Sequence, residues 1–175
     1  YVGIPCILMA PLAFLQKPVR WLQAITDYGA TTSGGPNFAY DLCVQKITPE
    51  QCAGLDLSRW TVAFNGAEPV RAKTIEQFTA AFAPYGFRRT AFYPCYGMAE
   101  TTLFVTGGLP AAAPVITHVQ RAALAEGHIL PATQPDETSH PLVSSGQPWL
   151  AEQVLIVDPK TATPCPPDRV GEIWV

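Results

Sequence analysis

A single carboxylate stands in an otherwise apolar stretch near the middle of the chain. Glu100 follows Tyr96-Gly97-Met98-Ala99 and precedes Thr101 and Thr102. A tyrosine face can stack on a purine, and one carboxylate can hold Mg²⁺ when phosphates supply the other ligands. The two threonine hydroxyls could donate hydrogen bonds to a phosphate. The residues alone leave two interpretations equal: nucleotide and Mg²⁺ binding, or Glu100 as a helix cap with Tyr96 in the core.

Two further loops carry groups suited to a flat or apolar ligand. Gly66-Ala67-Glu68-Pro69 combines small residues, which let a ligand approach the backbone, with a carboxylate at the start of a predicted helix. Ser33-Gly34-Gly35-Pro36-Asn37-Phe38 leaves backbone exposed beside an aromatic ring and could line a pocket for an acyl or aryl group. A helix N-cap is the simpler interpretation of the first loop, and a plain turn explains the second equally well.

Alternating strands and helices are predicted to position these loops. Helical periodicity predicts helices over residues 19–28, 37–46 and 70–83, with Asn37 as a cap and a connector helix from Thr48. This alternation is typical of an α/β fold with a mostly parallel sheet flanked by helices, in which ligands collect at the carboxyl ends of the strands. All three loops fall at such ends. Apolar runs predict the strands over residues 6–10, 30–33, 60–64 and 90–93.

The second half of the chain differs in character. Residues 109–149 are rich in proline, alanine, histidine and glutamine and predict one helix over residues 119–126 and a polar loop over residues 133–140. Residues 154–157 and 171–175 predict two strands of a second sheet, separated by a proline-rich hairpin. We therefore expect an α/β subdomain over residues 1–108, an insertion and connector over 109–149, and the truncated start of a second sheet subdomain over 150–175.

Composition and charge argue against several classes of function. Hydrophobic residues make up 48% of the 175 residues and charged residues 14%, so the elements are expected to be buried on more than one side. The net charge is -3 and the lysines and arginines are scattered, which argues against nucleic acid as a partner. No segment predicts a membrane span. Because no GxSxG occurs, a serine hydrolase fits poorly.

The cysteines and the ends of the chain give two further expectations. Five cysteines form an odd set without a CxxC pair, which indicates reduced thiols and a cytoplasmic protein. The chain opens on Tyr1 rather than on a methionine and ends within a predicted strand at Val175. We therefore expect an internal fragment of a longer protein.

Three ordered motifs resemble those of the adenylate-forming superfamily, which includes acyl-CoA synthetases, peptide-synthetase adenylation domains and luciferases. They are NGAEP at residues 65–69, YPCYGMAE at residues 93–100 and GEIW at residues 171–174. The resemblance covers essentially the whole chain and implies an internal segment of the large N-terminal domain of such an enzyme. More narrowly, the segments that are very similar to fatty acyl-AMP ligases are residues 33–43, 55–70 and 91–108.

The resemblance implies a reaction in which a fatty acid carboxylate attacks the α-phosphate of ATP, giving acyl-AMP and pyrophosphate, with Mg²⁺ as cofactor. Glu100 would then ligate Mg²⁺, Tyr96 would stack on the adenine, and Gly97 would approach it by its backbone. Thr101 would supply a hydroxyl to the phosphate, because Ala99 stands where many relatives have a threonine. The other residues implied in nucleotide binding are Asn65, Gly66, Ala67, Glu68, Pro69, Met98 and Ala99. Those implied in the acyl pocket are Ser33, Gly34, Gly35, Asn37 and Phe38.

The resemblance also bears on the fate of the adenylate. Fatty acyl-AMP ligases carry an insertion that corresponds to residues 109 to about 140 and hinders the rotation that lets CoA react. Transfer to an acyl carrier protein, in a polyketide or lipopeptide context, is therefore implied. An acyl-CoA synthetase and a non-catalytic binding or scaffold fragment remain alternatives. The chain alone is expected to be inactive, because the family's phosphate loop, ribose-binding aspartate and catalytic lysine are not among its residues.

Overall fold

The computed structural model describes residues 3–175. Its α-helices are α1 (Pro11–Gln16), α2 (Val19–Tyr28), α3 (Asn37–Lys46), α4 (Ala72–Phe82) and α5 (Arg121–Ala125). Its strands are β1 (Thr32–Gly34), β2 (Val62–Asn65), β3 (Phe92–Met98), β4 (Leu103–Gly107), β5 (Ile116–Gln120), β6 (Ser139–Val143), β7 (Gln147–Pro148), β8 (Leu155–Asp158), β9 (Thr163–Pro164) and β10 (Glu172–Trp174). Short 3₁₀ helices cover Pro49–Cys52, Ala83–Tyr85, Arg89–Ala91 and Ala99–Thr101.

The main sheet of the described residues has five strands in the order β1-β2-β3-β4-β7. β1, β2 and β3 run parallel, whereas β4 is antiparallel to β3 and β7 is antiparallel to β4. The predicted α/β fold is therefore confirmed, with a mixed sheet. Gly97 is required where β3 and β4 pass each other, because a side chain there would overlap the Leu103 carbonyl oxygen. This close pairing brings β4 back beside β3 immediately after Glu100.

The two faces of the main sheet have different neighbours. Successive side chains of a strand point to opposite faces. Ala63 on β2 and Phe92 on β3 face α2, α3 and α4 and are at most 2% exposed. Tyr40 of α3 packs there with its ring centroid 5.0 Å from that of Phe92. The helices therefore cover one face, and alternate residues such as Val62 and Tyr93 point to the other.

The helices largely follow the sequence prediction. α2 has the predicted bounds and ends at Gly29, whose φ of 57° lies in the left-handed region that glycine tolerates. α3 ends at Lys46 as predicted but begins at Asn37, one residue earlier than its predicted cap allows. α4 is shorter than predicted at both ends. The connector after Thr48 is a 3₁₀ helix, in which the Thr48 amide donates to Gln51 Oε1 at 3.1 Å. Between residues 3 and 175 we find no helix with the length and apolar character needed to cross a membrane.

The predicted strand over residues 6–10 is wrong. These residues form no regular structure and are exposed, with Leu8 at 89%. A strand requires a partner for its backbone groups, and none of the described strands pairs with this apolar run, which lies between Pro5 and Pro11. The other three predicted strands are confirmed as β1, β2 and β3, displaced by two residues at their starts and extended in β3.

The second half of the chain forms two small sheets and contributes one strand, β7, to the main sheet. β5 and β6 make an antiparallel hairpin that the sequence analysis missed, and α5 covers only the centre of the predicted helix. The order β10-β8-β9 confirms the predicted second sheet. Two main-chain hydrogen bonds join the segment after α5 to the segment before β10. They run from Ile129 N to Asp168 O at 2.7 Å and from Val170 N to Gly127 O at 3.0 Å. The limits of the three predicted regions stay a prediction.

Candidate functional site

A cavity of about 450 Å³ lies on the face of the main sheet that the helices leave open. Its floor follows the alternation of the strands, because Val62 and Phe64 of β2 and Tyr93 and Cys95 of β3 line it while Ala63 between them is buried in the core. The remaining lining residues are Gly35, Pro36, Gly66, Ala67, Tyr96, Gly97, Leu103 and Phe104. The cavity thus joins three predicted loops to apolar strand residues.

Two of these loops are held together by close backbone approach. A side chain at Gly34 would overlap the carbonyl oxygen of Phe64, so β1 and β2 can come this close only with glycine there. The amide of Gly35 donates to that same oxygen at 3.0 Å, and the Tyr40 hydroxyl donates to it at 2.8 Å. The second glycine of the loop is consequently fixed at the cavity wall, as predicted for an exposed backbone segment.

Asn37 organises the loop after β2 rather than capping its own helix. The predicted cap is wrong: Pro36 is the N-cap of α3, and Asn37 is its first residue and is completely buried. Asn37 Nδ2 donates to the Pro69 carbonyl at 2.9 Å, while Asn37 Oδ1 accepts from the Arg71 amide at 3.0 Å. Asn65 Nδ2 also donates to Asn37 Oδ1 at 3.2 Å. One buried amide therefore holds both ends of the loop that carries residues 66–69.

The same loop contains a strained residue and a buried acceptor. Ala67 has a φ of 66°, a left-handed conformation that is uncommon for residues with a β-carbon and is often found at functional sites. Asn65 Oδ1 is buried and has no hydrogen-bond partner within residues 3–175. An unpaired buried oxygen is costly unless a donor arrives from outside. Both features lie beside Gly66, which lines the cavity.

The carboxylate of this loop, Glu68, is paired with a nearby arginine. Glu68 Oε2 accepts from Arg71 Nη2 at 3.0 Å, and Arg71 also lies 3.7 Å from Asp41. Partial burial acts to raise the pKa of Glu68, but the hydrogen bond and charge of Arg71, with hydrogen bonds from Asn37 and the Phe38 backbone, leave this pKa below its usual value. Glu68 is consequently ionised at neutral pH and paired, and it does not line the cavity.

Glu100 stands on a 3₁₀ turn, Ala99–Thr101, that follows β3. Its side chain is exposed, and none of the ion pairs found in residues 3–175 involves it. The Thr101 hydroxyl donates to the Met98 carbonyl at 3.2 Å and so stabilises the turn. In the part of the chain that the structure describes, we find no group of three potential metal-ligating side chains. A metal ion here would rest on one carboxylate and on ligand oxygens.

Of the residues implied in nucleotide or acyl binding, five line the cavity: Gly35, Gly66, Ala67, Tyr96 and Gly97. The rest do not line it, namely Ser33, Gly34, Asn37, Phe38, Asn65, Glu68, Pro69, Met98, Ala99, Glu100 and Thr101. Ser33 Oγ accepts from Trp21 Nε1 at 2.9 Å, and the Phe38 ring is 51% exposed. Ser33 thus contacts a helix side chain and Phe38 faces outward, and neither forms part of the cavity wall.

Several lining residues lie on strand faces and were not among the predicted site residues, which came from loops. Phe64, Tyr93 and Phe104 are the large ones. The alternation along β2 and β3 was a usable signal for the first two, since a residue next to a buried one points to the opposite face. Burial raises the pKa of the Cys95 thiol, which is therefore protonated and a poor nucleophile at neutral pH. Cys95 acts as part of the wall.

Proteins similar to this chain include one of known structure. A fatty acid AMP ligase from Legionella pneumophila is 51% identical, with a TM-score of 0.94 over 99% of this chain and 30% of that chain. The medium-chain-fatty-acid [acyl-carrier-protein] ligase TtuA of Teredinibacter turnerae is 49% identical over the whole chain and 27% of its own length. The ligase of the same description named JamA, from Moorena producens, is 47% identical over the whole chain and 30% of its own length.

The extent of these matches defines what the chain represents. It spans between 27% and 30% of the length of these relatives. The family model described as AMP-binding enzyme matches residues 1–175, from the first residue to the last. Because the match covers the whole chain, the chain belongs to the AMP-binding enzyme family.

Proposed function

We propose that this chain is part of a fatty acyl-AMP ligase, which activates a fatty acid with ATP to acyl-adenylate and pyrophosphate. The observation that carries the proposal is the cavity, in which glycine-rich loop ends and an apolar strand face form one continuous wall. Small residues admit a flat base, and the apolar face admits an alkyl chain. The relatives are named as a fatty acid AMP ligase and a fatty-acid [acyl-carrier-protein] ligase, which supports the same activity.

The nucleotide is proposed to occupy the end of the cavity formed by Gly66, Ala67, Tyr96 and Gly97. Tyr96 lines the cavity and offers its ring for stacking on the adenine, while the two glycines allow backbone approach. Asn65 does not line the cavity but fixes the start of this loop from below, because its Nδ2 donates to Asn37 Oδ1 at 3.2 Å. Glu68 and Pro69 border the base through the loop that Asn37 holds.

Mg²⁺ is proposed to bind Glu100. The exposed carboxylate on the turn after β3 has no ion-pair partner in the described part of the chain, so it is available to a cation. A bound Mg²⁺ would neutralise phosphate charge as it develops. Thr101 contributes a hydroxyl near this turn, but in the present arrangement the proton is donated to Met98 O, so binding a phosphate requires rotation of the side chain. Met98 and Ala99 connect Tyr96 to this carboxylate.

The acyl group is proposed to lie along the apolar side of the cavity, between Gly35 and the strand residues of β2 and β3. Ser33, Gly34 and Asn37 then support the loop that carries Gly35, because their contacts are to Trp21, Phe64 and the chain after Pro69. Phe38 is exposed and is assigned to the outer side of the same loop. The positioned carboxylate itself is the nucleophile, so the protein supplies orientation and charge stabilisation.

The acyl group is proposed to pass to the phosphopantetheine thiol of an acyl carrier protein in a polyketide or lipopeptide pathway. Two relatives are named as medium-chain-fatty-acid [acyl-carrier-protein] ligases, which supports the carrier protein as acceptor. Residues 109 to about 140 are proposed as the insertion that hinders the rearrangement needed for CoA, with an ordinary surface loop as the alternative. The parent protein is proposed to act in the cytoplasm, where cysteines stay reduced, and the five cysteines are free in the structure. Nucleic acid is not among the proposed partners.

One assay separates this proposal from an acyl-CoA synthetase and from a non-catalytic scaffold. The full-length parent is incubated with ATP, Mg²⁺ and a labelled fatty acid, and then with either CoA or a phosphopantetheinylated carrier protein. We expect acyl-AMP to persist with CoA and to be consumed by the carrier. Acyl-CoA as the product would assign the protein to the synthetases. A lack of pyrophosphate release with any fatty acid would support the scaffold.

A further inference from the structure

Two stacked rings close the cavity on the side of β4. The ring centroids of Tyr93 and Phe104 lie 6.3 Å apart with an interplanar angle of 21°, and both residues line the cavity. Gly35 and Pro36, at the end of β1, lie at the opposite side of the same space. Because the strands are ordered β1-β2-β3-β4, the ring pair forms the wall that a group lying across β2 and β3 would meet.

Trp149 stands behind this wall. Its ring packs edge-on against Phe104, with centroids 5.7 Å apart and an interplanar angle of 87°, and it does not line the cavity. β7 holds Trp149 in this position, because Gln147 and Pro148 pair with β4 and the Trp149 amide donates to the Val105 carbonyl at 3.0 Å. A third ring, supplied by chain that returns from residues 109–146, therefore backs the pair.

Because Gly107 has no side chain, the two rings can occupy the space beside its backbone. A β-carbon at this position would overlap the Tyr93 hydroxyl and would lie 2.6 Å from Phe104 Cζ. Both rings line the cavity, so the cavity is the unoccupied space into which rings displaced by such a carbon can move. Substitutions at Phe104 and Gly107 should consequently change the size of the cavity in opposite directions.

We propose that the Tyr93–Phe104 pair, backed by Trp149 and accommodated by Gly107, selects the chain length of the fatty acid. The proposal rests on the proposed function and adds its specificity determinant. Tyr93 and Phe104 contact the substrate, whereas Trp149 acts through Phe104 as a positioning residue. One methylene in an apolar pocket typically changes kcat/KM by on the order of tenfold, so a displaced ring is sufficient to move the preferred length.

The test measures kcat/KM for acyl-AMP formation by the full-length parent across saturated acids from hexanoic to octadecanoic. For Phe104→Ala we compare kcat/KM for the acid two carbons longer than the wild-type optimum with kcat/KM for that optimum. We expect the ratio of the first to the second to rise by on the order of tenfold. In Gly107→Ala we expect the optimum to move to shorter acids. Tyr28→Ala removes an aromatic ring that is 63% exposed and outside the cavity lining, and it serves as the matched control.

Further variants keep the test decisive if Phe104→Ala fails to fold. Phe104→Leu and Trp149→Ala should shift the optimum in the same direction as Phe104→Ala by a smaller factor, and Trp149→Phe should restore the wild-type profile. An unchanged profile in active Phe104 variants, or a shift of Phe104 and Gly107 variants in the same direction, overturns the proposal. A wild-type parent that adenylates no fatty acid overturns the proposed function instead.

Discussion

The two faces of the main sheet are built from the same strands but carry different tasks. On β3, Phe92 points to the helices and is 2% exposed, whereas its neighbour Tyr93 lines the cavity. On β2, Ala63 and Val62 are related in the same way. The helix-side residues contribute burial, and the cavity-side residues contribute shape and chemistry. Substitutions one residue apart should therefore separate stability from activity.

The largest difference is expected between Phe92→Ala and Tyr93→Ala. Loss of the Phe92 ring leaves a void among the core aromatics and should lower the free energy of unfolding by about 3–5 kcal/mol. Tyr93→Ala, on the open face, should cost about 1 kcal/mol. Urea denaturation of the full-length parent followed by circular dichroism measures both. Equal losses for the two variants would contradict the division of the faces.

Glu100→Gln should affect activity with little effect on stability. The carboxylate is exposed and outside the ion pairs found in residues 3–175, so its loss removes no packing. If it binds Mg²⁺, pyrophosphate release should fall on the order of a hundredfold or more, as loss of electrostatic stabilisation does. Glu76→Gln on the exposed side of α4 is the matched control. An unchanged rate in Glu100→Gln would exclude the Mg²⁺ role.

Asn37→Ala tests a residue that contributes both to burial on the helix side and to the shape of the cavity. Its side chain is fully buried on the helix side, yet its three hydrogen bonds hold the loop at the cavity. We expect a loss of about 1–3 kcal/mol in stability, because buried polar partners are left unpaired, together with a higher KM for ATP. A stability loss with an unchanged KM would show that the loop keeps its shape without Asn37.

The smallest effect is expected from the Glu68–Arg71 pair. The folded-state pKa of Glu68 is lowered, so the pair stabilises the protein above the ordinary pKa of the residue, and this contribution is lost as the pH falls through the folded-state pKa. Glu68→Gln should thus cost a few tenths of a kcal/mol at neutral pH, and the difference from wild type should shrink below about pH 4.3. Urea midpoints between pH 7 and pH 3 measure this trend. A difference that grows on acidification would contradict it.

The sequence predicted more of the helix side than of the cavity side. α2 has the predicted bounds and α3 the predicted end, because their periodicity and the glycine after α2 are local signals. The hairpin of β5 and β6 was missed, since its strands contain histidine and proline and lack a clear alternation. The apolar run over residues 6–10 shows the converse error, because hydrophobicity alone does not provide a partner strand.

The candidate site likewise contains residues that local motifs predicted and residues that only long-range packing brought to the cavity. Gly66, Tyr96 and Gly97 stand in motifs whose residue types fit a flat phosphate-bearing ligand as well as a structural role, and they line the cavity. Phe38, chosen for its place in a glycine-rich loop, is exposed instead. Phe104 carries no motif and becomes part of the wall only because β4 turns back beside β3.

Residue types and spacing along the chain were thus sufficient to indicate the family, the main helices and the glycine-rich loops, because each depends on neighbours a few positions away. Long-range packing decided which face of the sheet stays open, where the Asn37 amide is used and which rings close the cavity. Asn37 meets Pro69 and Asn65, and Trp149 meets Phe104, across tens of residues. Such contacts exist only after helices and strands have assembled, since local propensity carries no information about which distant side chain a face will meet.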